Sequence, residues 1–392
     1  MQNMIKRKTA SMAKTLASEF KVLAIVGPRQ SGRTTLCRSV FAGKPYVSLE
    51  SPDDLRFAQD DPRGFLAEFP DGAVIDEVQR VPDLFSYLQG IVDERREPGQ
   101  FILTGSQHFG LMDRISQSLA GRVGFLQLLP FCYRELVSGK VAPESLSEAL
   151  FKGGYPPLYD QPLVPHRWLD AYLTTYVERD VRQLINVRDL NAFRLFVRLC
   201  AGNIGQLLNM SRIGSDVGVD QKTVRAWVGI LEASFIVRLL QPHHRNFRKR
   251  MVKTPKLYFH DVGLAARLLG IDAPDQLTTH AMRGPLFENW VITELMKERA
   301  ARGESDNLYF WRSHSGREID VIVDRGTSLD PIEIKSGQTI ASDWFAELNN
   351  WQELAGEIAG PATLVYGGDR KQTRSGVRVV PWQKLATAID RK

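Results

Sequence analysis

Gly27, Gly32, Arg33 and Thr34 stand in the segment IVGPRQSGRTTL: a glycine, four residues, a second glycine, a cation and a hydroxyl. An apolar run precedes them and a helix-forming stretch follows. Glycines let a backbone wrap around phosphate oxygens, and the amides at the helix start bind them. The nucleotide-binding stretch is therefore read as Gly27, Pro28, Arg29, Gln30, Ser31, Gly32, Arg33, Thr34 and Thr35, with the Thr34 hydroxyl on Mg²⁺. Downstream, the run AVIDE ends in Asp76 and Glu77. Asp76 would complete the Mg²⁺ shell and Glu77 would orient or activate the attacking water. Either half alone has a bland reading, a glycine-rich turn or a strand reaching solvent; in this order they make a phosphate-handling site. A third apolar run, FILTGSQ, puts Thr104 and Ser106 near the same place. Ser106 there senses a γ-phosphate or merely caps a helix. Arg122 in SLAGRVGF is a candidate phosphate contact or arginine finger, with a solvated arginine as the alternative. Arg33 occupies the position where this loop ordinarily has lysine. Its planar fork is larger than an ammonium and not equivalent at a crowded γ-phosphate, so binding is expected to survive while hydrolysis weakens.

A second constellation lies in EIDVIVDRGTSLDPIEIKSG. Side chains alternate along a strand, so Glu318 and Asp320 share one face, and Glu333 and Lys335 share a face of the next strand. The polar turn between them makes a hairpin, which brings Asp320, Glu333 and Lys335 together. Two carboxylates suit Mg²⁺ or Mn²⁺, and the lysine would position a water and offset charge on a phosphodiester under attack. Glu288, on a helix whose Phe287, Val291 and Leu295 can pack on the sheet, is a further acidic member. The expected metal set is Glu288, Asp320 and Glu333. A lone E-x-K would be read as a cross-strand ion pair.

Between these two sites, residues 202–240 have the rhythm of a helix-turn-helix, with Gly218 in the turn and Asp220 capping a second helix from Gln221 to Phe235. Gln221, Lys222 and Arg225 fall in its first turns, where a recognition helix presents side chains to DNA. From Arg238 to Lys256 the chain has seven Lys/Arg and no Asp/Glu, with Phe247 interleaved. This reads as a basic wing on phosphates, through Arg245, Arg248, Lys249, Arg250 and Lys253. The alternatives are a module used only for packing, or a basic strip meeting an acidic protein.

These residues must be carried by elements. VLAIV, GAVID and FILTG are short apolar runs separated by helix-like segments, the pattern of a doubly wound parallel sheet. The spacing then turns helical to about residue 200, and the last third alternates a helix with strand-like runs. The fold class is thus multidomain α/β: a nucleotide-binding core over 1–130, a helical lid or connector over 131–200, a winged helix over 201–270 and an α/β domain over 271–392. Length, 392 residues with 43% hydrophobic and 24% charged, demands more than one ordinary core and excludes a disordered chain. A net charge of +6 permits a polyanionic partner. Cys37, Cys132 and Cys200 are scattered with no C-x-x-C, which fits reduced thiols. With no long apolar run and no continuous apolar core in the basic start, a cytoplasmic protein without membrane contact is expected.

Over nearly its whole length the chain resembles prokaryotic AAA-type ATPases that join a P-loop module to a C-terminal region of PD-(D/E)xK nuclease-like fold. The blocks GPRQSGRTTL, VIDEVQRVPDLF, FILTGSQ, SLAGRVGFLQLLP, FKGGYPP, YVERD, KTPKLYFHDVGL, GPLFENWV, GREIDVIV and PIEIKSG carry the resemblance. It implies an ATPase core, a winged-helix connector and a restriction-endonuclease-like domain, with ATP and Mg²⁺ as cofactors, DNA as partner and a possible homo-oligomer. The expected function is DNA processing in repair, recombination or defence. A nucleotide-gated switch with a dead nuclease fold, and a non-catalytic DNA-binding regulator, are the alternatives.

Overall fold

The computed structural model describes residues 4–95, 97–106, 118–177, 189–243 and 253–386. The three apolar runs form strands because they are buried on both faces. β1 (Val22–Val26), β2 (Tyr46–Ser48), β3 (Val74–Asp76), β4 (Phe101–Gly105) and β5 (Val123–Gln127) make one sheet in the order 2-3-4-1-5. Every pairing in it is parallel. All five carboxyl ends therefore meet at one edge, where an open α/β sheet binds its ligands. The order also seats β4 between β1 and β3, so three different loops converge there.

The middle is helical: Tyr133–Ser138, Leu146–Lys152, Pro165–Tyr172, Leu190–Gly202, Met210–Val217 and Gln221–Ala233. Gly218 ends the fifth of these at φ 82°, and the Asp220 side chain accepts from the Thr223 amide at 2.8 Å to start the sixth. That helix stops at Ala233, two residues short of the expected Phe235, where Ser234 leaves helical geometry. An antiparallel pair follows, β6 (Val237–Leu240) with β7 (Lys256–Phe259). Beyond β6 the chain runs along the next sheet: the Phe310 amide donates to the Gln241 carbonyl at 3.1 Å and the His243 amide to the Phe310 carbonyl at 2.7 Å.

The last third opens on the helix Arg283–Ala301 and continues with β8 (Leu308–Arg312), β9 (Glu318–Asp324), β10 (Leu329–Lys335), the helix Ala346–Ala355, β11 (Thr363–Tyr366), β12 (Gln372–Arg374) and β13 (Val377–Pro381). Sheet order is 12-13-11-10-9-8. β8, β9 and β10 form an antiparallel meander, and β11 returns parallel to β10 after the helix. Trp351 and Leu348 of that helix seal one face with Ile319, Ile322 and Leu364.

The helix Arg283–Ala301 is buried along nearly its whole length and joins everything else. Glu294 accepts from the Tyr133 amide at 2.6 Å, and Lys297 donates to the Phe131 carbonyl at 3.0 Å. Asn289 exchanges both hydrogen bonds with the backbone of Phe259, at 2.6 and 2.9 Å. A single apolar cluster runs from Ile5 to Leu385. The four stretches distinguished in the sequence thus share a core.

Two blocks without evident chemistry in the sequence, GGYP and YFHDVGL, explain each other here. Asp261 accepts from the Gly154 amide at 2.7 Å and from Leu264 at 3.0 Å, tying the helical middle to the turn after β7. Gly153 sits at φ 68°, and a Cβ on it would lie 2.2 Å from Asp261 Oδ1. Gly153→Ala is expected to destabilise the chain by about 3 kcal/mol, read by urea unfolding. A loss under about 1 kcal/mol would mean that the turn relaxes freely.

All three cysteines are free and buried. Burial, then the Asp76 charge, pushes the Cys37 thiol up to about 12, and burial raises Cys132 and Cys200 as well. None should react with a thiol reagent at neutral pH in the native chain, and all three should in denaturant. Rapid modification of the native chain would contradict this packing. No helix among the described residues is long and apolar enough to cross a membrane.

Candidate functional site

At the carboxyl edge of the parallel sheet the phosphate loop meets the acidic pair. Gly27 is required by a close approach: a Cβ there would fall 2.1 Å from the Leu128 carbonyl oxygen. Gly32 turns the loop into the helix Arg33–Val40 at φ 89°. Thr34, exposed at the start of that helix, donates to Asp76 Oδ2 at 3.0 Å. Two more hydroxyls serve the same carboxylate, Thr104 on Oδ1 and Tyr46 on Oδ2. Burial, then this bond, pushes the Tyr46 phenol up to about 12, so it remains a donor. Glu77 is held at φ 56°, a left-handed conformation uncommon outside glycine. Its carboxylate receives Ser106 Oγ at 3.1 Å, Gln79 Nε2, and Arg33 Nη2 at 2.7 Å. The structure thus brings together Thr34, Asp76, Glu77 and Ser106, and it ties the unusual Arg33 to Glu77.

Two donors inside this arrangement are buried without a partner, Ser31 Oγ and Arg33 Nη1. A buried orphan donor costs about 1–3 kcal/mol, which an arriving phosphate oxygen would recover. Thr34 and Asp76 are hard oxygen donors of the kind that hold Mg²⁺, so the residues fit the ion. Arg7 was read only as part of a basic start, yet it braces the loop: it donates to the Ser31 carbonyl and the Leu129 carbonyl at 2.6 Å each and pairs with Glu135 at 3.1 Å. Beside it a cavity of ≈ 300 Å³ is lined by Ile5, Lys14, Gly32, Thr35 and Pro156. No pattern in the sequence points to either feature, because both depend on the first residues folding back across the loop.

Arg122 does not reach the phosphate loop of its own chain. It precedes β5 and so lies at the amino edge of the sheet, ~16 Å from the loop across five strand residues. There it makes a two-point ion pair with Asp93, at 2.5 and 2.8 Å. An in-cis phosphate contact is out of reach.

In the C-terminal sheet, Asp320 and Glu333 face each other across β9 and β10, since Val321 pairs with Ile332. Asp320 Oδ2 accepts from the Ile334 amide at 2.8 Å, and Lys335 Nζ lies 2.7 Å from Glu333 Oε1. Burial, then the charges of Glu333 and Glu288, holds the Asp320 carboxyl well above the usual range. Glu333 is raised too, chiefly by burial, and its Oε2 is buried without a partner. Burial opposes the Lys335 charge, but Glu333 and Asp320 outweigh it and keep the ammonium firmly protonated. Glu288 departs from the expected metal set: it is taken by Lys256 Nζ at 3.2 Å and by the Tyr258 hydroxyl. Lys256 also pairs with Glu318. Among the described residues no group of three or more His, Cys, Asp or Glu is placed to hold a metal. What remains together is the pair Asp320 and Glu333.

Comparison with known proteins bears on the first site. A family model described as an AAA domain matches residues 19–137. Two models for domains of unknown function, DUF8612 and DUF4143, match 143–275 and 283–385. An uncharacterized protein of Mycobacterium tuberculosis is 33% identical over 340 residues, covering 85% of this chain and 74% of that protein. The chain belongs to this AAA-type P-loop family. An uncharacterized protein of Haemophilus influenzae is 24% identical over 277 residues, 67% of this chain and 64% of that protein. Among solved structures, a Walker-type ATPase of Pyrococcus abyssi covers 68% of this chain and 96% of that chain at 14% identity and a TM-score of 0.47.

In this AAA-type chain Gln221, Lys222 and Arg225 are exposed on the first turns of their helix, as is Lys253 before β7. Arg245, Arg248, Lys249 and Arg250, with Phe247, lie outside the described residues. The two ends of the basic run turn to acidic partners within the chain. Arg238 pairs with Asp306 at 2.6 Å, and Lys256 is 1% exposed inside the acidic cluster. A linear count of charge could not separate these two from their neighbours, since their carboxylates come from the last third of the chain.

Proposed function

We propose that this AAA-type protein binds Mg²⁺·ATP at the phosphate loop, turns it over slowly, and acts on DNA, which its C-terminal site cuts with a divalent ion. The observation that carries the nucleotide half is the Thr34–Asp76 hydrogen bond beside the two orphan donors, Ser31 Oγ and Arg33 Nη1. Thr34 and Asp76 would hold Mg²⁺, which would offset negative charge on the phosphates. Glu77 would orient the attacking water once Arg33 leaves it, and Ser106 keeps the Glu77 carboxylate aimed. The cavity beside Arg7 suits the nucleoside.

The DNA half is supported by the exposed Gln221, Lys222 and Arg225, and by three helices followed by an antiparallel strand pair, an order similar to a winged helix. It is supported too by a helix, an antiparallel meander, a second helix and a parallel return strand, an order similar to restriction-endonuclease-like domains. A divalent ion there would be held by Asp320 and Glu333 and would supply Lewis acidity. Lys335 offsets charge on the phosphodiester. One observation favours the alternative of a nucleotide-gated switch on a non-cutting scaffold: Lys256 already supplies an internal cation to Glu288 and Glu318. Labelled single-stranded, duplex and branched DNA, incubated with Mg²⁺ or Mn²⁺ and with or without ATP, separates the two. Cleavage that ATP modulates supports the coupled enzyme; ATP or DNA binding with no cleavage of any substrate selects the switch.

A further inference from the structure

Directly after Lys335 the chain forms the loop 336–339, which walls a groove of ≈ 810 Å³ together with residues from the helical middle. The loop is a built feature. The Gly367 amide donates to the carbonyls of Lys335 at 3.0 Å and of Gly337 at 3.1 Å, and a Cβ on Gly367 would lie 2.3 Å from the Ser336 carbonyl oxygen. The groove is lined by hydroxyls and an amide, from Ser147, Thr278, Ser336, Gln338 and Thr339, and by one guanidinium, Arg283.

Arg283 is the informative member. It is half-buried, and burial depresses its basicity, with no acidic neighbour acting against that. Its Nη1 donates to neutral oxygens only, Ser147 Oγ and the Leu277 carbonyl, each at 3.1 Å. Asp275 is the acid of the lining, and among the described residues the side-chain bonds of Arg283 go to Ser147 and Leu277 and to no carboxylate. A partly desolvated guanidinium without a counter-charge calls for an anion, and a planar fork beside the Ser147 hydroxyl, in a groove lined by further hydroxyls, suits a phosphodiester. Ser336 lies three strand residues past Glu333, so the groove ends ~10 Å from the paired carboxylates.

We propose that this groove seats the sugar–phosphate backbone of one nucleic-acid strand, with a phosphate on Arg283, and leads that strand to Asp320, Glu333 and Lys335. The inference rests on the nuclease reading for the identity of the strand, but its test does not need cutting. Full-length chain in EDTA, where no metal-dependent cleavage occurs, is titrated into fluorescein-labelled oligothymidylate of about 12 nucleotides and followed by anisotropy. Arg283→Gln should weaken binding roughly tenfold at moderate salt, and Arg283→Lys should recover part of the loss. The slope of log affinity against log salt should fall by about 0.7 for the lost contact. Gln338→Glu, at an exposed position, should weaken binding several-fold without touching the core; it stands as the test if Arg283→Gln unfolds. Wild-type affinity and slope in both variants would overturn the proposal and assign binding to the basic middle. Equal competition by polyglutamate of the same length would overturn it too, because the groove would then read charge alone. Arg283-dependent binding without cleavage in Mg²⁺ would retain the groove and discard the nuclease.

Discussion

Arg33→Lys is expected to raise ATP turnover by about 100-fold, the low end of what a freed general base contributes. In the present arrangement the loop cation and the acid proposed to orient water neutralise each other: Arg33 Nη2 lies 2.7 Å from Glu77 Oε1. Arg33 is 7% exposed and Glu77 8%, so solvent does little to weaken the pair. A nucleotide that enters must either draw the guanidinium onto its phosphates or leave Glu77 clamped. The shorter, flexible ammonium of lysine reaches a γ-phosphate as a point charge and lets Glu77 go to Ser106 and Gln79 alone. Phosphate release under saturating Mg²⁺·ATP measures this. Glu77→Gln in the lysine background should return the rate to near that of the parent. If Arg33→Lys leaves turnover within about twofold of the parent, the clamp is not what limits hydrolysis, and Arg33 serves the transition state as it stands.

Asp320→Ala is expected to lower metal-dependent DNA cleavage by about 10³-fold, since a lost metal ligand forfeits several kcal/mol of stabilisation. Asp320 is the residue on which the neighbouring charges converge. Burial, then Glu333 and Glu288, raise it, Lys256 and Lys335 oppose them, and the Ile334 amide occupies one of its oxygens. The alanine variant removes repulsion from the cluster, so it should remain folded and bind oligonucleotide in EDTA as the parent does. Glu288→Gln is the control. Its carboxylate is engaged by Lys256 and Tyr258 and not by the candidate cation pair, so cleavage should fall less than about tenfold. An equal collapse for Glu288→Gln would restore Glu288 to the metal set; retained cleavage in Asp320→Ala would move the chemistry elsewhere in the chain.

How much was legible in the sequence differs by element. The runs around Val22–Val26, Val74–Asp76 and Phe101–Gly105 were readable as strands because burial on both faces demands uninterrupted apolar residues. The hairpin of β9 and β10 was readable because alternation puts Asp320 and Glu333 on known faces. The helix break at Gly218 and the cap at Asp220 followed from local backbone chemistry. The in-cis phosphate contact offered for Arg122 fails for a reason of direction: the sequence locates it beside a strand but does not say which end of the sheet that strand presents.

From sequence alone came the properties set by neighbours in the chain: the loop that wraps phosphate, the acidic pair closing a strand, the arginine in the lysine position, and the two carboxylates and lysine of one hairpin. Only the tertiary structure decided which charges meet across long separations. It placed Lys256 among Glu288 and Glu318, Arg33 on Glu77, Arg7 beneath the phosphate loop, and Gly153 and Gly154 against Asp261. The physical reason is common to all four. A buried charge is tolerable only beside its partner, and a glycine is demanded where another group fills the place of its Cβ; both neighbours are chosen by packing in three dimensions, which periodicity along the chain does not encode.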